Sequence, residues 1–291
     1  MAAQAAGMPR FVYRKQGVEF EPAQHKFVRE VEAYATGVFR DDFGTSAELM
    51  TKVVQKVKEL ESAPSPLAFV KLAQQPAVHW LSDGAASQAV SGHDASLELH
   101  VVPVDSPGYS VRELEQLGAS LMDRVRATQM IGSDVALTTT RSDGYVAVGI
   151  PAGRPRSWGT PQRGELVECR LYKTGQVSTR ATLPRDGLGS ILDPDDLSRQ
   201  VADLLRFAGA LNIVQADRIV VAAGVSTDAL MSIDTFDPRR SRQSSQPMRF
   251  GRANRPLRTE PDEAVTLAAL GTGSAEVAVY LAQALISQVR R

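Results

Sequence analysis

The chain has 291 residues, 43% hydrophobic and 23% charged, which are the proportions of a globular fold with enough length for two domains. Its 33 basic and 33 acidic residues balance, which excludes a global attraction to nucleic acid or to anionic membranes. The single cysteine, Cys169, excludes an internal disulfide and a cysteine-built metal site and fits a reducing, cytoplasmic compartment. No apolar run approaches the ~18 residues of a spanning helix.

The first eight residues lack the basic region and apolar core of a secretion signal and read as a disordered lead. Phe11-Val12-Tyr13 is a β-rich run, broken by Gly17. A helix is predicted from Pro22, with Phe27, Val31 and Tyr34 on one face and Gly37 as its left-handed cap. Val38–Phe43 reads as a short strand. Thr45 and Glu48 have the spacing of a capping box, and Leu49, Val53, Val54, Val57 and Leu60 form an apolar face after it. Residues 64–95, rich in Pro, Ser, Gly and Ala, read as a linker. Three parts follow: residues 1–63, the linker 64–95, and residues 96–291.

In the last part Leu97, Leu99 and Val101 alternate with Glu98 and His100, the pattern of a half-buried strand whose outer face carries His100. Pro107-Gly108 is a turn. Ser110 and Glu113 repeat the capping box before a helix lined by Leu114, Leu117, Leu121 and Val125. Residues 135–140 and 145–150 flank Asp143-Gly144, a hairpin signal. Residues 166–173 and 176–183 do the same around Thr174-Gly175. Asp193-Pro194-Asp195-Asp196 opens a helix with acids in its first turn. Strands are expected at 218–224 and 265–270, and a final helix at 274–291. The fold class is therefore mixed α/β and α+β. It joins a truncated flavodoxin-like N-terminal piece to a mostly antiparallel sheet with helices on one face.

The run Pro9-Arg-Phe-Val-Tyr-Arg14, with Glu21-Pro22, Phe27 to Glu32, Phe43 and Ser46-Ala47-Glu48-Leu49, resembles the C-terminal part of a bacterial TIR-like domain of unknown function. That domain sits in front of STAND-type NTPases and other signalling or defence proteins. The resemblance covers about residues 9–62 and implies that the chain begins midway through the domain. None of the matching positions is a catalytic one. Leu97 to Pro103 with the helix at 110–126 is similar to the rear region of proteins carrying AlbA-like (Schlafen-type) domains, which implies an accessory module.

No catalytic constellation is legible. His25, His79, His93 and His100 are scattered, without partners at metal-ligand spacing. Cys169 lies within a strand and reads as a small, inert core residue, with Arg170 on the opposite face. No Gly-x-Ser-x-Gly elbow is present. Two anion-binding candidates remain. One is Gly271-Thr272-Gly273-Ser274, ahead of the last helix, which lacks the third glycine of a dinucleotide fingerprint and the lysine of a Walker loop. The reading preferred for it is a tight turn with Ser274 or Thr272 as N-cap, since caps are common and anion loops rare. The other is the segment 237–258, with Arg239, Arg240, Arg242, Arg249, Arg252, Arg255 and Arg258, whose forks suit phosphate or carboxylate groups. The expected function is a non-catalytic interaction or regulatory module with a protein partner, without cofactor or metal. Nucleic-acid or nucleotide binding through the arginines and nucleoside or NAD processing are the alternatives. The polar side chains are expected to serve solubility and helix ends, without converging on a pocket.

Overall fold

The computed structural model describes residues 10–17, 21, 24, 38–62, 67, 69–83, 95–151, 162–226, 231–239 and 256–289. The chain divides into two compact units, Met1–Ser65 and Pro66–Arg291.

In the first unit β1 (Arg10–Lys15) pairs in parallel with β2 (Val38–Phe43). The predicted helix at 22–37 lies outside the described residues. Helix α1 (Ser46–Ser62) starts as its capping box dictates. The Thr45 hydroxyl accepts from the Glu48 amide at 3.2 Å, and the Glu48 carboxylate accepts from the Gly44 N–H at 2.9 Å. Lys52 then ties the helix back to Asp41 and Glu48. Met50, Val53 and Val54 of this helix are exposed, so its apolar periodicity does not translate into burial at these positions.

The second unit begins earlier than the sequence suggests. Residues expected to form a linker supply β3 (Val70–Lys71), which joins the edge of the main sheet beside the strand Glu263–Thr266, and a 3-10 turn at Leu81–Asp83 whose Leu81 is buried. The elements that follow are β4 (Ser96–Pro103), α2 (Val111–Ala127), β5 (Thr138–Ser142), β6 (Tyr145–Gly149), β7 (Leu166–Tyr172) and β8 (Val177–Thr182). Two short strands, β9 (Arg185–Asp186) and β10 (Gly189–Leu192), precede α3 (Pro194–Ala210) and β11 (Arg218–Ser226). Next come β12 (Ser232–Ile233), β13 (Leu257–Arg258), β14 (Glu263–Thr266) and α4 (Ser274–Val289). The strand expected at 265–270 is shorter, because residues Leu267–Leu270 turn into a 3-10 segment.

The main sheet runs β3-β14-β11-β4-β8-β7-β6-β5, with β13 paired to β11. All of its pairings are antiparallel. The Asp143-Gly144 and Thr174-Gly175 turns make the hairpins they predict, with Gly175 at φ +86°. The capping box of α2 forms in both directions between Ser110 and Glu113. Asp193 caps α3 by accepting from the Asp195 and Asp196 amides, with Pro194 in the first turn.

Alternation assigns the two sheet faces. Leu97, Leu99 and Val101 of β4 share one apolar core with Leu171, Val148 and Val225. Leu121 of α2, Leu205 of α3 and Leu281 of α4 close that core. The helices therefore cover one face, and burial of this area is the main stabilising term. Gly118 of α2 lets the helix approach β6 so closely that a Cβ there would meet Val146 at 2.8 Å.

Candidate functional site, the polar face of the sheet

The second face carries the residues between those apolar ones, and register brings them together. Glu98 lies opposite Arg180 on one side and Gly224 on the other; His100 lies opposite Ser178 and Ala222. One strand further, Arg180 faces Glu168 and Ser178 faces Arg170. Two carboxylates, two guanidiniums, an imidazole and a hydroxyl thus form a block three strands wide. His100 does not project from an outer, solvated face. It is 0% exposed, Glu98 is 1% and Arg180 is 1%.

The pairing within the block is specific. Ser178 Oγ lies 2.8 Å from His100 Nδ1, and Gln176 Nε2 donates to Ser178 Oγ at 2.8 Å. His100 Nε2 approaches Glu98 Oε2 at 3.3 Å, and Arg180 Nη2 approaches Glu98 Oε1 at 3.8 Å. Arg170 Nε donates to Glu168 Oε1 at 3.0 Å, and the same guanidinium lies over the Tyr145 ring at 4.3 Å. Several polar atoms in the block are left without a hydrogen bond, namely Glu98 Oε1, His100 Nε2, Glu168 Oε2 and the three guanidinium nitrogens of Arg180.

Burial holds His100 below its ordinary value, opposed by Glu98 and aided by Arg258 and Arg180. At neutral pH the imidazole is therefore uncharged. Burial on its own would raise Glu98, but the neighbouring His100, Arg180 and the Ser82 backbone outweigh it and keep the carboxyl below its usual range. The stable state of the pair has the charge on Glu98 and none on His100.

Ser178, His100 and Glu98 have the connectivity of a nucleophile, base and orienting acid. All three are buried, and the Ser178 hydroxyl already accepts from Gln176, whereas an acting nucleophile must reach its substrate. Cys169 faces the apolar core, and burial pushes its thiol up to about 12, which leaves it protonated. Among the described residues no group of three His, Cys, Asp or Glu side chains gathers at metal-binding geometry. No helix among them is long and apolar enough to cross a membrane.

Residues 78–83 lie across this face. The Gln176 side-chain amide accepts from the His79 N–H at 2.9 Å and donates to the His79 carbonyl at 2.8 Å. The Leu81 N–H donates to Glu98 Oε2 at 3.0 Å. Trp80 packs edge-on to His100, with centroids 4.6 Å apart, and the Arg258 guanidinium sits over its indole at 4.5 Å. Trp80 also lies so near Gly224 that a Cβ there would meet the indole at 2.8 Å. His79 stacks on Tyr172, and Arg258 pairs with Asp83 and Ser82.

The anion candidates are placed elsewhere. Arg239 is exposed, and its amide donates to Asp237. Arg240, Arg242, Arg249, Arg252 and Arg255 lie outside the described residues. Arg258, the last of the group, is spent on Trp80 and Asp83. Gly271 and Thr272 are exposed, and Gly273 and Ser274 are buried. Ser274 donates to the Gly271 carbonyl and accepts from Arg206 Nε, both at 3.3 Å. Leu67 closes over Gly273 so tightly that a Cβ would lie 2.1 Å from it. A cavity of about 450 Å³, lined by Arg206, Gly209, Ile213, Val214, Leu270 and Gly271 among others, lies beside this turn.

Sequence reasoning missed the polar block. Its signal was the period of two in Glu98/His100, Glu168/Arg170 and Ser178/Arg180, three strands whose same-face positions are polar while their alternates are mostly apolar. A scan of protein-family models gave no match to this chain. Searches of curated proteins and of solved structures gave none either.

Proposed function

We propose that the chain is a non-catalytic interaction or regulatory module with a protein partner, of the kind its resemblance to bacterial signalling and defence proteins implies. The observation that supports it is the burial of Glu98, His100 and Ser178, groups with catalytic connectivity engaged with one another and covered by residues 78–83. Buried polar networks of this kind fix a unique arrangement of strands, whereas a catalytic site needs its reacting groups open to substrate.

The test is turnover. Purified protein is incubated with p-nitrophenyl acetate, with NAD and with nucleosides, and products are followed by absorbance and chromatography. The expected result is no product above the protein-free blank. Crosslinking in the native host is expected to yield intermolecular peptide pairs on this chain. Turnover that disappears in Ser178→Ala or His100→Ala overturns the reading.

A further inference from the structure

We infer that the polar sheet face is a peptide-recognition surface and that residues 78–83 are its built-in occupant. An extended peptide with an aromatic residue and a nearby acidic side chain displaces this strap. The inference rests on the interaction-module reading and names the partner that module takes.

The contacts are those by which proteins read a peptide. Gln176 engages both backbone groups of His79, as a strand neighbour would, and Glu98 accepts the N–H of Leu81, two residues on. Backbone groups at alternate positions are thus held, while the intervening Trp80 enters a slot made by Arg258, His100 and the bare backbone of Gly224. Backbone hydrogen bonds combined with a pocket for one alternate side chain are the logic of peptide capture on a sheet. The aromatic and cation contacts give the slot its selectivity.

The strap is held by side-chain hydrogen bonds, ring contacts and the buried Leu81, and not by sheet pairing. Residues 73–80 form no helix or strand, and the described part of the segment ends in the 3-10 turn at Leu81–Asp83. Leu81 is sunk to 1% exposure, but Trp80 is half-buried and His79 exposed. Beside Glu98 the polar face also keeps hydrogen-bonding capacity that no described residue uses. Three Arg180 nitrogens and Glu98 Oε1 have no hydrogen-bond partner. A competing peptide whose carboxylate reaches Arg180 makes a charge-assisted bond that the strap does not. The apparent affinity of that peptide is lowered by the fraction of molecules in which the strap is seated.

The experiment uses a fluorescein-labelled synthetic peptide copying residues 76–83, with fluorescence anisotropy as the readout. The full chain carrying Trp80→Ala, whose strap no longer fills the slot, is expected to bind the peptide saturably and at least tenfold more tightly than the unaltered chain. Adding Gln176→Ala, or replacing the peptide's tryptophan by alanine, is expected to abolish binding. Equal affinity of the Trp80→Ala and unaltered chains, with an unchanged circular dichroism spectrum, overturns the inference. Hydrogen exchange on the unaltered protein supplies an arm that needs no variant. The amides of His79 and Leu81 are expected to exchange at least tenfold faster than those of the β4 core, because the strap opens without unfolding the sheet. Exchange of both sets at one rate overturns it as well. Enzymatic turnover would remove the interaction-module reading and leave these two measurements standing. Failure of either measurement removes the peptide surface and leaves the interaction-module reading in place.

Discussion

Arg180 places a guanidinium where it is 1% exposed, with Glu98 3.8 Å away as its counter-charge. Removing one member of such a pair strands the other in a medium that solvates it poorly, at a cost of roughly 3–5 kcal/mol, while replacing both by apolar residues of similar size is often neutral. Arg180→Ala is therefore expected to lower unfolding free energy by about that amount in urea titrations. The double substitution Glu98→Met/Arg180→Met should recover most of the loss. A single Arg180→Ala change within about 0.5 kcal/mol of the parent would show that the pair is solvated.

His100 sets the response to acid. Its folded value lies below the ordinary 6.5, so the unfolded chain takes up a proton before the folded one does. Stability is accordingly retained above about pH 6.5 and falls as pH drops below it. Glu98, also held below its ordinary 4.5, contributes stability that is present above that value and lost as pH falls through its folded one. Both groups act in the same direction, the histidine first. Urea midpoints between pH 7.5 and 4 should show an early decline in the parent that is absent in His100→Gln. An unchanged profile in that variant would assign the decline to another group.

Elements start where short-range chemistry says they should. Ser110 and Asp193 both cap helices, but Asp193 does more. Its second carboxylate oxygen accepts the Phe236 N–H at 2.8 Å, which ties the segment after β12 to the start of α3. Ser110→Ala is expected to cost about 1 kcal/mol. Asp193→Ala should cost more, since it removes the cap and leaves the Phe236 amide without its acceptor. Thermal melts of the two variants rank them, and the reverse order would mean that the tie to Phe236 contributes nothing. The same local signals explain why α2, α3, the hairpins and the strands β4 and β11 were legible from sequence, whereas the short strands β3, β9, β10, β12 and β13 were not. The alternation of Leu97 to Val101 also identified a strand. It could not show that Glu98 and His100 face Arg180 and Ser178, because that register joins two chain segments whose paired residues here are 82 and 78 positions apart. Nor did it show that the polar face is covered, since the covering residues 78–83 fall in a segment with the composition of a linker and are fixed by tertiary contacts.

At the scale of the molecule the main apolar cluster among the described residues belongs to one unit. Every member of the main buried cluster lies within Pro66–Arg291, whereas the first unit shows a two-stranded parallel pair and one helix with exposed Met50, Val53 and Val54. Two strands on their own are marginally stable. A chain starting at Pro66 is therefore expected to keep a cooperative thermal transition within about 4 °C of the full protein, the shift that ~1 kcal/mol produces in a domain of this size. A non-cooperative melt of that fragment would make the first unit integral to the fold.

The backbone that leaves Ser65 reaches the main sheet first through the two residues of β3, next through His79 and Leu81, and only then enters the eight-residue span of β4. A pull along the polypeptide from the amino side of β3 meets the β3 pairing and then the Gln176 and Glu98 hydrogen bonds before it reaches β4. Single-molecule stretching of the second unit is expected to release those contacts at lower force than the pairings of β4, baring the Glu98 carboxylate while the sheet is still intact.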